Sequence, residues 1–225
     1  MVITKKMKIP FSVYDFFGYL SAGFIVLYAA DFTFGFGFIA TKELGVQTSA
    51  LLAILSYTVG HLVANISSFI LEHTIARRLL GAPETILLSP VQKTFLRLIF
   101  PIYYKPFPGH FIEVVLNKAK SEGFTEVGRS LFFHCHSIAK KDNATNERLS
   151  TFLNLYGFSR NMCMACIICA VLMGIGASLN PAYSDKFLLL GLVALFLAIG
   201  LFYRYLKFYK HYTEEVFRTY ETEKI

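Results

Sequence analysis

Residues 161–179 read NMCMACIICAVLMGIGASL and residues 187–205 read FLLLGLVALFLAIGLFYRY. Neither run contains an acid, and the one cation, Arg204, stands at the far end of the second. A helix crossing a bilayer needs about 20 mostly apolar residues, so each run predicts a spanning helix. Two further candidates lie upstream: Phe16 to Phe36, broken only by Asp31, and the more polar Thr48 to Leu71. The composition agrees. Hydrophobic residues make up 55% of the 225, charged residues only 16%, and the mean hydropathy is +0.50, whereas soluble domains carry about 25% charged residues. The expected fold is an all-α integral membrane protein with four transmembrane helices.

The charges predict its orientation. Of the 22 Lys and Arg residues, all but Lys42 and Lys186 precede the first span, lie between the second and third, or follow the fourth. Cytosolic loops concentrate Lys and Arg, so the expected topology is N-in/C-in, multi-pass in a bacterial inner (plasma) membrane. The net charge of +7 then follows from topology, and direct nucleic-acid binding is not expected. Lys5, Lys6 and Lys8 resemble a signal-peptide n-region, but Asp15 interrupts the apolar run and Tyr28-Ala29-Ala30 is a poor cleavage site, so a retained anchor is expected. The predicted organisation is 1–72 (cytosolic lead and first two spans), 73–160 (helical cytosolic insert) and 161–225 (last two spans and a cytosolic helical extension).

Within the insert, Ser89-Pro90-Val91-Gln92 reads as a capping box with Pro at the first helical position, opening a helix that stops at Pro101. Pro106, Pro108 and Gly109 predict a turn. His110 to Glu122 has helical spacing with Gly123 as its stop. Thr125 to Lys141 and Asn143 to Arg160 predict two more helices, the last continuous with the third span. The fourth span is expected to run on to about Tyr220, with Tyr205, Tyr209 and Tyr212 suited to the headgroup layer or to packing against the insert.

The second span is the most informative for function. At about 100° per residue, Tyr57, His61, Asn65, Ser68 and Glu72 share an arc of about 80°. Polar side chains at membrane depth are costly unless they face protein or water, so this face is expected to look inward. Three roles fit it: hydrogen-bonding glue between helices, a pore lining with His61 as a proton-sensitive element, or a substrate path. Asp31 is expected at the outer interface as a solvated acid, with an intramembrane acid of an ion path as the sharper reading. Gly18 with Ala22, and Gly174 with Ser178, are small-xxx-small pairs suited to close helix approach. Cys163-x2-Cys166-x2-Cys169 imitates metal-ligand spacing, but three cysteines in an apolar helix beside Met162, Met164 and Met173 read as packing residues. No metal, cofactor or disulfide is expected, the fourth cysteine, Cys135, lying in the basic insert.

Arg129-x4-His134 resembles the Arg-x4-6-His pattern of HEPN ribonucleases, in which the pair acts on an RNA 2′-OH across a dimer. A helix surface carries the same two residues without chemistry. No phosphate-binding glycine loop, nucleophile elbow or paired carboxylates accompany them, so the chain is not expected to be an enzyme. Two stretches, Glu147-Arg148-Leu149-Ser150-Thr151-Phe152-Leu153 with Tyr156-Gly157-Phe158-Ser159-Arg160-Asn161 entering a span, and Tyr205-Leu206-Lys207-Phe208-Tyr209-Lys210-His211-Tyr212 leaving one, are similar to small bacterial membrane proteins. The overall plan resembles the four-helix membrane subunits of bacterial antiphage systems, such as the membrane component of Kiwa. That resemblance, carried by architecture, length and composition, implies a homo-oligomer that works with a cytosolic protein partner. The expected function is an oligomeric subunit that senses the state of the envelope in contact with anionic lipids. The alternative is an ion-conducting effector that depolarises the cell.

Overall fold

The computed structural model describes residues 16–39, 45–89 and 94–223. A π-helical turn, Phe16–Leu20, leads into α1 (Ser21–Phe34); α2 is Val46–Ser67 and continues as a π-helix over Ser68–Gly81. Then follow α3 (Pro83–Leu88), α4 (Thr94–Ile99), α5 (Gly109–Ser121), α6 (Arg129–Ala139) and α7 (Asn143–Leu179). A 3₁₀ turn, Pro181–Tyr183, precedes α8 (Ser184–Thr222). No strand occurs among the described residues. Four helical stretches are long and apolar enough to cross a membrane: Phe17–Phe34, Val46–Leu88, Asn143–Leu179 and Pro181–Thr222. The capping box at 89–92, Asp15 and the N-terminal lysines fall wholly or partly outside the described residues.

The chain forms two compact units. The first takes in the described residues of Met1–Ile66 and Asn161–Ala198; the second takes in those of Ser67–Arg160 and Ile199–Ile225. The helices α7 and α8 contribute residues to both.

In the first unit, lipid-type packing dominates. Its outward surface is apolar, with Phe24, Leu51, Ile54, Leu62, Val171 and Leu192 all exposed. Helices in such a setting approach through small residues and hydrogen bonds rather than through hydrophobic burial. The closest approach lies at Gly23 and Gly60: a Cβ on Gly23 would stand 1.8 Å from the Ser56 carbonyl oxygen, and one on Gly60 would stand 1.9 Å from that of Tyr19. Of the predicted small pairs, Ala22 is fully buried, whereas a Cβ on Gly174 would meet open space and Ser178 is exposed. Around Ala29, Cys169, Met173 and Phe187 a second cluster forms, with the Phe187 ring seated on Gly176. The cysteines act here as small hydrophobes with a weak donor. Cys163 Sγ donates to the Ala198 carbonyl at 3.3 Å and Cys169 Sγ to that of Ile25 at 3.7 Å.

The second unit is packed like a soluble helical domain. The buried stripes of α5 (Val115, Ala119) and α6 (Leu131, Phe132, Cys135, Ala139) close on Leu87, Leu149, Val216, Phe217 and Tyr220. Gly123, at φ +90°, ends the turn after α5, and Lys118 Nζ donates to the Tyr220 and Glu223 carbonyls at 2.7 and 2.6 Å. α6 begins at Arg129 rather than Thr125, because Phe124 and Val127 are pinned against the core and Gly128 is extended. Glu122 gathers His134 Nε2 at 2.6 Å and the Tyr220 hydroxyl at 2.9 Å. Burial pushes this carboxyl up, but the hydrogen bonds from His134 and Tyr220 and the charges of His134 and Lys118 together hold it below its ordinary value. His136, 2.8 Å from the Tyr212 hydroxyl, is held below the ordinary imidazole value of 6.5 by burial and by Lys140.

Two predictions follow from this packing. Gly60→Ala should destabilise the detergent-purified protein by about 1–3 kcal/mol through overpacking, while Gly174→Ala should be neutral or stabilising by up to about 1 kcal/mol. Thermal unfolding of both variants checks the contrast. For His136, a depressed imidazole favours the neutral form, so its stabilisation is complete above 6.5 and is lost as pH falls through its folded value. Melting temperature should therefore drop on acidification from about pH 7.5 to about pH 5.5 by more in the wild type than in His136→Gln, which keeps a hydrogen-bonding side chain without the titration.

Candidate functional site

The second unit's most unusual feature is the winding of Ser68–Gly81. A π-helix bonds i to i+5 and occurs mostly as single turns at functional sites; here it runs for 14 residues. The winding aligns residues five apart, and two such pairs meet. Thr74 Oγ1 donates to the Phe69 carbonyl at 3.0 Å, and Arg77 Nε lies 3.8 Å from Glu72 Oε1. On an α-helix, neighbours on a face are three or four apart, so Glu72 and Arg77 would point in different directions.

From that pair a chain of charges extends both ways. Arg160 Nη1, on α7, donates to Glu72 Oε2. Arg77 Nη1 donates to Glu84 Oε1, in the first turn of α3, at 2.9 Å. The order Arg160–Glu72–Arg77–Glu84 alternates in sign and sums to zero. Glu84 is the deepest member, its side chain 4% exposed. Tyrosines surround the chain. The Arg77 guanidinium stands 5.6 Å from the centre of the Tyr209 ring. Tyr205 and Tyr209 stack at 5.8 Å, and Tyr156 packs on both. The hydroxyls of Tyr205 and Tyr209 are buried without a hydrogen-bond partner among the described residues, in the field of Glu72, Glu84, Arg77 and Arg160.

The end of the π-helix is held by the same cluster. Gly81 turns the chain at φ +101°, and the last carbonyls of a helix have no partner within it. Tyr103 Oη donates to the Gly81 carbonyl at 2.8 Å and Tyr104 Oη to that of Leu80 at 2.6 Å. Burial, then the nearby Glu84 carboxylate and Tyr104, push the Tyr103 phenol up, so it stays a donor.

The five residues of the predicted polar face separate. Tyr57 and His61 join Tyr19 in the first unit: His61 stacks on Tyr19 at 4.1 Å, and Tyr57 meets it edge-on at 4.6 Å. The buried face of α2 there is Ser56, Gly60, Val63 and Ala64, and His61 and Asn65 lie on the exposed side. The face predicted to look inward thus looks outward in the single chain at these two positions. Ser68 opens the π-helix, half-buried, and Glu72 belongs to the ionic chain. Asp31, expected as a solvated acid, is 7% exposed. It accepts hydrogen bonds from the Phe38 and Ile39 amides at 2.9 and 3.1 Å, tying down the segment after Gly35.

Tyr205 and Tyr209 pack with Tyr103 and Tyr104 in the insert, the second of the two settings expected for the tyrosine row. Arg129 and His134 do not share a site: the Arg129 guanidinium lies over the Phe133 ring at 5.3 Å, and His134 is engaged by Glu122. Arg77, Glu84 and Arg160 were not anticipated. Glu84 carries a readable signal, an acid directly after Pro83 at the head of an apolar stretch, whereas Arg160 lies 88 positions from Glu72. Comparison with known protein families, curated proteins and solved structures gives no match.

Removing one member of a buried ion pair strands the other, at a cost of about 3–5 kcal/mol, whereas replacing both with apolar groups is often neutral. Arg77→Met should accordingly destabilise the purified protein by about that amount, and Arg77→Met with Glu84→Leu should recover most of it. A thermal-unfolding double-mutant cycle measures both.

Proposed function

We propose that the chain is a homo-oligomeric, multi-pass subunit of a bacterial inner membrane that registers the state of the envelope in its spans and engages a cytosolic protein partner. In this reading both termini and the insert lie in the cytosol, as the Lys and Arg distribution supports. The observation that carries the proposal is the exposure of His61 and Asn65 on α2, among exposed Leu55, Leu62 and Ile66. Lipid offers neither polar side chain a partner. A second copy presenting the same stripe does, and such cross-helix hydrogen bonds contribute about 0.6–2 kcal/mol each. An isologous interface of this kind repeats the same contacts from both sides.

The chain also supplies a route inward. Because α7 and α8 contribute residues to both units, a rearrangement of the spans reaches the cytosolic helices through continuous backbone. Antiphage defence is the setting that the architectural resemblance suggests. The second reading is an ion-conducting oligomer, favoured by the titratable His61 among the exposed residues: several copies would then line a polar path with Tyr57, His61 and Asn65.

Native mass spectrometry of the protein in lipid nanodiscs tests the proposal. The wild type should be oligomeric, and His61→Leu with Asn65→Leu should shift it to monomer with an unchanged melting temperature, since both positions are exposed. A monomeric wild type, or an oligomer indifferent to the substitutions, overturns it. Potassium flux from vesicles that is lost in His61→Leu selects the conducting reading.

A further inference from the structure

The second unit bears an apolar groove of about 600 Å³ between the segment Leu98–Tyr103 and the stretch of α8 from Gly200 to Phe208. Its walls are fixed. Tyr203 Oη donates to the Ile99 carbonyl at 3.1 Å, the buried Lys210 Nζ donates to that of Ile102 at 2.6 Å, and Phe100 packs on Phe202 and Tyr203. Its floor is open at Gly200, where a Cβ would touch nothing within 4 Å.

The rim combines two features that water disfavours together. Phe95, Leu98 and Ile102 are 72%, 80% and 59% exposed, a dense apolar patch for six-residue α4 and the turn after it. Beside it stand four exposed cations: Arg97, Lys105, Arg204 and Lys207. Arg204 and Lys207 line the groove, and no acid does. Both lie near the Phe208 ring, at 4.9 and 5.9 Å from its centre. Apolar surface edged by aromatics and cations matches the boundary between acyl chains and headgroups. The groove also sits where the apolar run of α8 gives way to its charged continuation.

We infer that this groove is a binding site for an anionic phospholipid, with the acyl chain along Leu98, Ile102 and Gly200 and the headgroup phosphate on Arg204 and Lys207. The inference rests on the spanning reading above. Charge complementarity selects the occupant: a second copy of this basic surface would set like charges face to face, whereas each cation near the surface enriches anionic over zwitterionic lipid about fivefold.

The chain contains no tryptophan, so Leu98→Trp places a single fluorophore at the groove mouth, on a side chain exposed enough to be replaced without repacking. The full-length protein is reconstituted in vesicles of phosphatidylcholine with an equal fraction of either brominated phosphatidylglycerol or brominated phosphatidylcholine. The expected result is stronger quenching by the brominated anionic lipid. Arg204→Gln with Lys207→Gln should equalise the two lipids, and Gly200→Leu should weaken quenching by both while leaving the charges intact. Equal quenching in the parent protein overturns the inference, as does water-like emission without quenching. Blue-shifted but unquenched emission also overturns it, because a protein partner or second copy then covers the site. A separate Leu195→Trp reporter, in the apolar run of α8, distinguishes the two levels: if bromines fail to quench it, the spanning reading itself has failed.

Discussion

The second unit depends on a single alternating line of charge, Arg160–Glu72–Arg77–Glu84. Taking four ionised groups out of water costs several kcal/mol each, which mutual attraction repays only when geometry is good. The protein meets that condition through backbone shape. The wide winding of Ser68–Gly81 puts Glu72 and Arg77 on one line, Pro83 starts the helix that presents Glu84, and α7 delivers Arg160 from far along the chain. Such an arrangement adds little net stability over an apolar core. What it specifies is arrangement: the π-helix, α3 and α7 can pair their charges in only one register. The tyrosines then complete the site, two of them capping the helix end that Gly81 leaves open.

The two units solve the packing problem in different currencies. Among the spans, solvent and interior are equally apolar, so contact comes from missing side chains at Gly23 and Gly60 and from thiol and hydroxyl donors such as Cys163 and Thr33, whose Oγ1 reaches the Leu172 carbonyl at 3.4 Å. In the second unit, aromatic bulk does the same task, with Phe132, Phe217, Tyr205 and Tyr220 almost wholly buried. The sequence carries the difference in plain sight, glycine and cysteine in one set of segments and tyrosine and phenylalanine in the other.

That contrast also explains what could be read in advance. The four apolar helices and the approximate limits of α5, α7 and α8 were legible, because long apolar runs and glycine stops have one structural meaning. The arc holding His61 and Asn65 was legible too, but its direction was not: on a lipid-facing helix both the buried and the exposed face are apolar, so periodicity locates a stripe without telling inside from outside. Glu72 was assigned to that stripe on a winding of 100° per residue, which ceases to apply at Ser68. The ionic chain was invisible for the same reason, compounded by the distance in sequence between Glu72 and Arg160. Asp31 looked like a solvated acid because a carboxylate near a helix end is ordinarily one; the backbone amides of Phe38 and Ile39 that claim it belong to a loop with no regular pattern.

The long π-helix has a consequence for how this protein tolerates insertions and deletions. Each turn of Ser68–Gly81 already accommodates a surplus residue relative to an α-helix. A one-residue deletion there need not break the helix; it lets a turn tighten and swings whatever follows around the axis. Length polymorphism in this segment is therefore converted into rotation, and the penalty falls on the angular match between Arg77 and Glu84 rather than on helicity. Elsewhere, in the uniformly wound α7 and α8, the same deletion would shift every later side chain by a full α-helical step and scramble the packing at once.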